Sequence, residues 1–328
     1  MPRVFFREAL ARAMAEEMER DPCVFLMGQD IASHGGSYAE TRGLFERFGP
    51  SRVRNTPVAE ASTIGIAAGA AVGGLRPLAF ITYFDFLMLG LDPLVNYAAK
   101  LRFKSAGQLS APMVVKTTAG AKGQGPTHAQ ALESWLMNVP GVTVVAPSTP
   151  LDACGLLKTS LRSDHPVVFI DHKKLFPRGG DLPDGEVLIP FGSAAVRREG
   201  RHVTVITHSY MTVEALAAAD ALSNEGIEVE VVDLRSLWPI DWPLLAESAR
   251  RTGLVLTVEE GQVVCGVGAE LAFGLREILP GLPVSRLGAL RAPVSASPAL
   301  ESFVLPDAAK IATKVRQMMS VDQKGASP

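Results

Sequence analysis

The chain has 328 residues, 47% of them apolar, enough for two hydrophobic cores or one large one, which excludes a chain disordered throughout. A formal net charge of -2 from interspersed acids and bases leaves no basic footprint for nucleic acid and no polybasic patch for a membrane surface. Cys23, Cys154 and Cys265 are far apart and outside any Cys-x-x-Cys or Cys/His cluster, so neither a disulfide framework nor a zinc site is indicated, and a reducing cytoplasm is the expected compartment.

From Met1 to Asp21, Arg3, Arg7 and Arg12 mix with Glu8, Glu16 and Glu17 among apolar residues at helical spacing. That pattern predicts an amphipathic helix, not a signal or transit peptide. Cys23 to Gly28 is a short apolar run that reads as a buried strand, handing over at Gln29-Asp30 to polar loop sequence as far as Phe48. The stretch Asn55-Thr56-Pro57-Val58-Ala59-Glu60-Ala61-Ser62 then opens a helix of very small residues. Pro57 sets a bend and Thr56 or Asn55 can cap, so Glu60 falls in or near the first turn, where the helix dipole favours a negative charge. Gly65, Gly69 and Gly73 recur at every fourth position and form a smooth face that lets another backbone come close. The apolar run from Ala61 to Leu75 stops at Arg76-Pro77, too short to span a membrane. On this local pattern alone, Glu60 reads first as a helix-start acid.

Strands are expected at Leu78 to Tyr83, Met113 to Thr117, Val142 to Ala146 and Val167 to Asp171, with helices at Phe86 to Phe103, Ala131 to Met137 and Asp152 to Arg162. After a Pro- and Gly-rich, charged stretch, a second alternating unit runs through strands at Val203 to Thr207, Ile227 to Val232 and Leu254 to Val258 and helices at Val213 to Asn224, Trp242 to Arg251 and Ala269 to Ile278. A last helix is expected from Asp307 to Met318. Continuous apolar strands alternating with helices predict an α/β protein of two domains, each a mainly parallel sheet flanked by helices. The expected division is 1–175, a linker at 176–201, a smaller domain at 202–320 and a disordered tail at 321–328.

In such folds the loops at the C-terminal strand ends build sites. Here they carry Glu60, the aromatic cluster Thr82-Tyr83-Phe84-Asp85-Phe86, and the Gly-rich loop from Gly120 to His128. That loop lacks Gly-Lys-Ser/Thr and is weak as a phosphate loop. His128, taken alone, reads as a polar or capping residue more readily than as a catalytic one. The chain has no Gly-x-Ser-x-Gly elbow and no metal-spaced His/Glu set.

Taken together the motifs say more. Thr56-Pro57-Val58-Ala59-Glu60-Ala61, Gly74-Leu75-Arg76-Pro77, Asp85-Phe86, Ala98-Ala99-Lys100, His128-Ala129-Gln130 and Val145-Ala146-Pro147-Ser148-Thr149-Pro150 resemble the beta subunit of thiamin-diphosphate-dependent 2-oxo acid dehydrogenases, which include the pyruvate, branched-chain and acetoin enzymes. Asp233-Leu234-Arg235-Ser236-Leu237, Val258-Glu259-Glu260-Gly261 and Gly266-Val267-Gly268-Ala269-Glu270 are similar to that family's transketolase-like C-terminal domain. The resemblance implies a pyrimidine-binding domain at 1–175, with Glu60 as the carboxylate on the aminopyrimidine ring of thiamin diphosphate and Tyr83 packed on the ring face. Phe86 and Gln29 lie beside the cofactor in this reading, and His128 lies near the reacting carbon. It extends to a potassium ion held by backbone carbonyls of Ser160, Leu161 and Ser163.

Gly-Asp-Gly followed some thirty residues on by Asn, the pattern that holds magnesium and the diphosphate, is missing here; in relatives it lies on a separate alpha subunit. The implied assembly is an alpha-two beta-two heterotetramer in which this chain is the pyrimidine half of the site. Its implied reaction is oxidative decarboxylation with acyl transfer to lipoamide on a lipoyl acyltransferase. The alternatives are a split transketolase-type ketol transferase and a non-catalytic assembly subunit. Against the family pattern, Gln29 stands where an acid is usual, the 120–128 loop is a residue shorter and carries Lys122 and Thr127, and the 292–298 loop lacks its usual aromatic residue.

Overall fold

A computed structural model describes residues 3–325, with side chains placed through Ser320. The elements in chain order begin with β1 (Arg3–Phe5), α1 (Phe6–Arg20), β2 (Val24–Gly28), α2 (Leu44–Phe48), β3 (Val53–Asn55), α3 (Glu60–Val72), β4 (Arg76–Ile81), α4 (Phe84–Leu87), α5 (Leu101–Lys104), β5 (Val114–Ala119), α6 (Glu133–Met137), β6 (Thr143–Val145), α7 (Pro150–Arg162) and β7 (Val167–His172). There follow β8 (Gly179–Asp181), β9 (Ala195–Arg198), β10 (Val203–Thr207), α8 (Met211–Ser223), β11 (Val229–Asp233), β12 (Ser236–Trp238), α9 (Trp242–Thr252), β13 (Val255–Gln262), α10 (Val267–Ile278), β14 (Val284–Ala289), α11 (Pro298–Val304) and α12 (Ala308–Gly325). Two compact units form. The first takes the chain up to Lys122 with Thr127–Phe191 and Leu237–Pro239; the second takes Gly123–Pro126, Gly192–Ser236 and the chain from Ile240 on.

The first unit holds a seven-stranded sheet in the order β12-β6-β7-β5-β4-β2-β3. Neighbours from β6 through β3 pair in parallel. Strands β2, β5 and β7 are buried along their whole length, as apolar runs covered on both faces require. Helix α1 buries Phe6, Leu10, Met14 and Met18, spaced at four residues, and packs on α7, to which Lys158–Glu16 and Arg162–Glu17 ion pairs tie it. The parallel register sets the C-terminal ends of β2, β3, β4, β5 and β7 along one edge of the sheet.

Four local readings change, the first being that the stretch read as loop as far as Phe48 ends in α2. The helix expected from Phe86 to Phe103 is broken into α4, a 3-10 turn at Met88–Gly90, a π-helical stretch at Asp92–Ala98 and α5. Gly90 lies so close to α3 that a Cβ there would stand 2.3 Å from Ile64 Cδ1, and the wide turn is closed by Ala99 N–H donating to the Leu94 carbonyl. The N-terminal helix begins at Phe6, because Arg3–Phe5 pairs antiparallel with β8. The 176–201 stretch read as a linker carries β8 and β9, and Ile189 fills the space over Gly155.

The second unit has a five-stranded sheet in the order β14-β13-β10-β11-β9, parallel except for β9 on its edge. Its core joins Val203, Val205, Leu222, Val229, Ile311 and Val315 under α8 and α12. Strand β14 and helix α11 were not foreseen from sequence. Helix α12 continues to Gly325 into the segment read as a tail, and residues 326–328 lie outside the described residues.

Candidate active site

Glu60 is the first residue of α3, half-buried, with no hydrogen-bond or ion-pair partner for its carboxylate among the described residues. The helix start is not capped as expected. No side chain caps α3 at Ala59; the Thr56 N–H donates to the Gly28 carbonyl, which fixes the chain beside β2. Asn55 accepts from the Ala32 N–H at 2.8 Å and donates to Ser33 Oγ at 3.0 Å, so it ties down the loop after β2. With free N–H groups behind it, the Glu60 carboxylate lies where the helix dipole stabilises an anion and where it remains open to a ligand's donor.

The end of β4 and the end of the Gly-rich loop build an aromatic corner. The Tyr83 ring meets the His128 imidazole edge to face, centroids 4.7 Å apart at 80°, and Phe86 meets the same imidazole at 5.2 Å and 87°. Tyr83 and Phe86 are themselves 6.2 Å apart. Thr127 Oγ1 and His128 Nδ1 are 2.9 Å apart, which leaves Nε2 as the ring nitrogen outside that contact. All three rings are half-buried, as a cluster that must present a face to a ligand requires. Gly90, three residues past α4, lies 3.3 Å (Cβ position) from the Glu60 carbonyl, and so brings the start of α3 toward the same end of the sheet.

Gln29, at the end of β2, is half-buried and lines a small polar pocket with Thr82, Thr118, Glu40 and Lys116. In the wall of this pocket Lys116 is almost fully buried, 2.6 Å from Asp171 and 3.5 Å from Glu40. Burial disfavours its ammonium, but the two carboxylates outweigh that and hold its pKa above the ordinary lysine value. Burial raises the Asp171 carboxyl, with Lys116 pulling it the other way. Neither Lys116 nor Lys173, which lies under the aromatic corner, was singled out from sequence. A lysine within a strand or at its end has no periodic signature, and only the fold surrounds it with acceptors.

Ser160, Leu161 and Ser163 lie at the end of α7, ahead of β7, away from the strand ends that carry Glu60 and Tyr83. Their carbonyls do not fit a potassium ion as they stand. Ser160's accepts from the Ser163 N–H, and Arg76 Nη1 donates to those of Leu161 at 3.2 Å and Ser163 at 2.9 Å. A fixed guanidinium, held also by Asp164 at 2.8 Å, already supplies positive charge to two of the three oxygens, and a second cation there would meet its repulsion. Among the described residues no three His, Cys, Asp or Glu side chains converge as a metal cage. No helix among them is long and apolar enough to cross a membrane.

Known proteins share this sequence and fold. Residues 3–178 match the transketolase pyrimidine-binding domain and residues 192–311 the transketolase C-terminal domain. The chain is 40% identical to the mitochondrial pyruvate dehydrogenase E1 component subunit beta-2 of Oryza sativa subsp. japonica, over 92% of this chain and 82% of that one. It is 37% identical to the 2-oxoisovalerate dehydrogenase subunit beta of Bacillus subtilis (strain 168), over 95% and 97%. A solved split-gene transketolase, an inactive beta4 tetramer, superposes with a TM-score of 0.79 at 26% identity, covering 97% of this chain and 99% of that one. The chain therefore belongs to the transketolase-like family of 2-oxo acid dehydrogenase E1 beta subunits.

Proposed function

We propose that this chain is the beta subunit of a thiamin-diphosphate-dependent 2-oxo acid or acetoin dehydrogenase and supplies the aminopyrimidine half of its active site. The observation that carries the reading is the unpartnered Glu60 carboxylate at the start of α3, at the same sheet edge as the Tyr83, Phe86 and His128 corner. Thiamin diphosphate, when bound, supplies a nucleophilic carbon and an electron sink for decarboxylation. Glu60 would hold a proton at the pyrimidine ring nitrogen, where a carboxylate with free lone pairs forms a charge-assisted bond. Tyr83 would pack on the pyrimidine face, with Phe86 and the neutral Gln29 bordering it. His128 would orient the substrate or move a proton as the acyl group passes to lipoamide. Magnesium and the diphosphate would be held by an alpha subunit in an alpha-two beta-two heterotetramer, and a lipoyl acyltransferase would take the acyl group. A cytoplasm suits its three free thiols. Lys122, exposed in the Gly-rich loop, would favour an anionic group on the substrate; Lys122→Ala then raises KM for an acidic substrate more than for a neutral one.

The likeness to a split-gene transketolase favours one second reading, two-carbon ketol transfer with the same cofactor half-site. The deciding experiment purifies the chain gently from its host and measures the mass of the complex, its thiamin diphosphate content and its products. A co-purifying alpha subunit, bound cofactor, and carbon dioxide with acyl-lipoamide from a 2-oxo acid support the first reading. A new ketose without carbon dioxide replaces it with the second. A lone homodimer that takes up no cofactor when alpha subunit, thiamin diphosphate and magnesium are added overturns both.

A further inference from the structure

We infer that Lys173 is a positioning residue for His128 and Tyr83, an assignment that rests on the reading of their corner as catalytic. Lys173 is the first residue past β7, and its side chain is fully buried. Its ammonium donates to the Gly120 carbonyl at 2.8 Å and to the carbonyl of His128, and lies 5.0 Å from the centre of the Tyr83 ring. Gly120 and His128 are the two ends of the Gly-rich loop, so one ammonium ties both ends to the end of β7.

The first of those ends has little freedom. Gly120 has φ +88°, and a Cβ there would lie 1.7 Å from His172 Nε2, so this position must be glycine and the loop presses against the strand end beside Lys173. A buried ammonium is costly to desolvate, and these carbonyl dipoles and the aromatic face are among the groups that offset the cost. The converse also holds: an apolar side chain at 173 would leave those carbonyls without this donor and the Tyr83 ring without its cation. Tyr83 is thus held by contacts with both the His128 ring and Lys173. Packing alone does not require a charge here. A charge at 173 does hold the loop's two ends, and the ring between them, in one place.

The test uses the reconstituted complex with alpha subunit, thiamin diphosphate and magnesium, and compares Lys173→Met, Lys173→Arg, His128→Ala and the Lys173→Met/His128→Ala double variant. Lys173→Met is expected to keep a cooperative melt and bound cofactor, to raise amide hydrogen exchange across 120–128 by about tenfold, and to lower kcat about ten- to a hundredfold with KM nearly unchanged. Lys173→Arg, which keeps the charge and two donors, recovers part of kcat. His128→Ala then costs far less in the Lys173→Met background than alone, since a residue that acts through another gives non-additive losses. If Lys173→Met does not fold, Lys173→Gln, which keeps a donor for one carbonyl, carries the same measurements. Unchanged exchange in 120–128, or strictly additive losses, with His128→Ala still costly, overturns the positioning role alone. His128→Ala without effect on turnover overturns the catalytic reading of the corner, and the positioning role with it.

Discussion

Helices α3 and α10 each begin beside a glutamate carboxylate, and each carries a glycine on one face, yet the surroundings differ at both points. Glu60 starts α3 with no partner among the described residues. Glu259 reaches from β13 to the start of α10 and accepts from the Val267 N–H at 2.7 Å and the Gly268 N–H at 2.9 Å. Gly266 and Gly268 make that approach feasible, since a Cβ on either would lie 2.3 Å and 2.9 Å from the carboxylate oxygens. The glycine faces repeat the contrast: a Cβ at Gly69 of α3 meets nothing within 4 Å, whereas one at Gly274 of α10 would stand 2.3 Å from the Trp242 ring. The start of α10 and its Gly274 face are filled within the chain, while Phe273 and Ile278 on the same helix stay exposed. Helix α3 presents both a carboxylate and a glycine face that the described residues leave open, as the proposed cofactor and subunit contacts would need.

The largest effect that would break this contrast is on turnover. Glu60→Gln keeps the side chain's volume and removes the carboxylate; in the assembled enzyme kcat should fall about a thousandfold with the melting temperature held, while Glu259→Gln should leave kcat within about twofold. Turnover within about twofold for both variants would mean that Glu60 is no more than a helix-start acid. Next comes pH. Burial pushes the Glu259 carboxyl up to about 7 against an ordinary 4.5, with the two backbone N–H groups pulling it back. Between those values the folded chain binds more protons than the unfolded one, so stability should fall as pH rises through that window and level off above it, by about 3 kcal/mol from this group. Glu259→Gln should flatten that slope in denaturant melts at a series of pH values, and Glu60→Gln should not.

Packing gives smaller effects. Gly274→Ala should cost about 1–3 kcal/mol in urea unfolding, because Trp242 must move. Gly69→Ala, with open space around it, should stabilise the isolated chain by about 0.5–1 kcal/mol through helix propensity. If Gly69→Ala also weakens association with the alpha subunit, the open face is a subunit contact; if it leaves association unchanged, that face stays in solvent.

Much of this was legible in the chain because burial and periodicity write themselves locally. The apolar runs that became β2, β5, β7, β10 and β13 read as strands from their short length and the turn residues that bound them. Strand β12 could not be read so: Ser236, Leu237 and Trp238 are too few to show a period, and they join the seven-stranded sheet through β6, far away in sequence. Strand β9, half-buried and antiparallel on an edge, looked like charged surface because Arg197 pairs with Asp233 and Arg198 with Asp220 only after folding. The broken helix around Gly90 has the same origin, since its irregularity answers to Ile64 on another element.

At the site the division is similar. Sequence by itself determined the alternation that makes two α/β units, the position of Glu60 at a helix start, and a set of motifs specific enough to identify the family, because propensity, turn chemistry and spacing act between near neighbours. Only the tertiary structure decided that the half-buried Glu60 carboxylate finds no partner among the described residues, that Tyr83, Phe86 and His128 share one corner, that Arg76 occupies the carbonyls read as a potassium site, and that Lys173 ties both ends of the Gly-rich loop. Those are contacts between residues tens of positions apart, and the free energy of a buried charge or a satisfied acceptor depends on what the fold brings within about 3 Å of it.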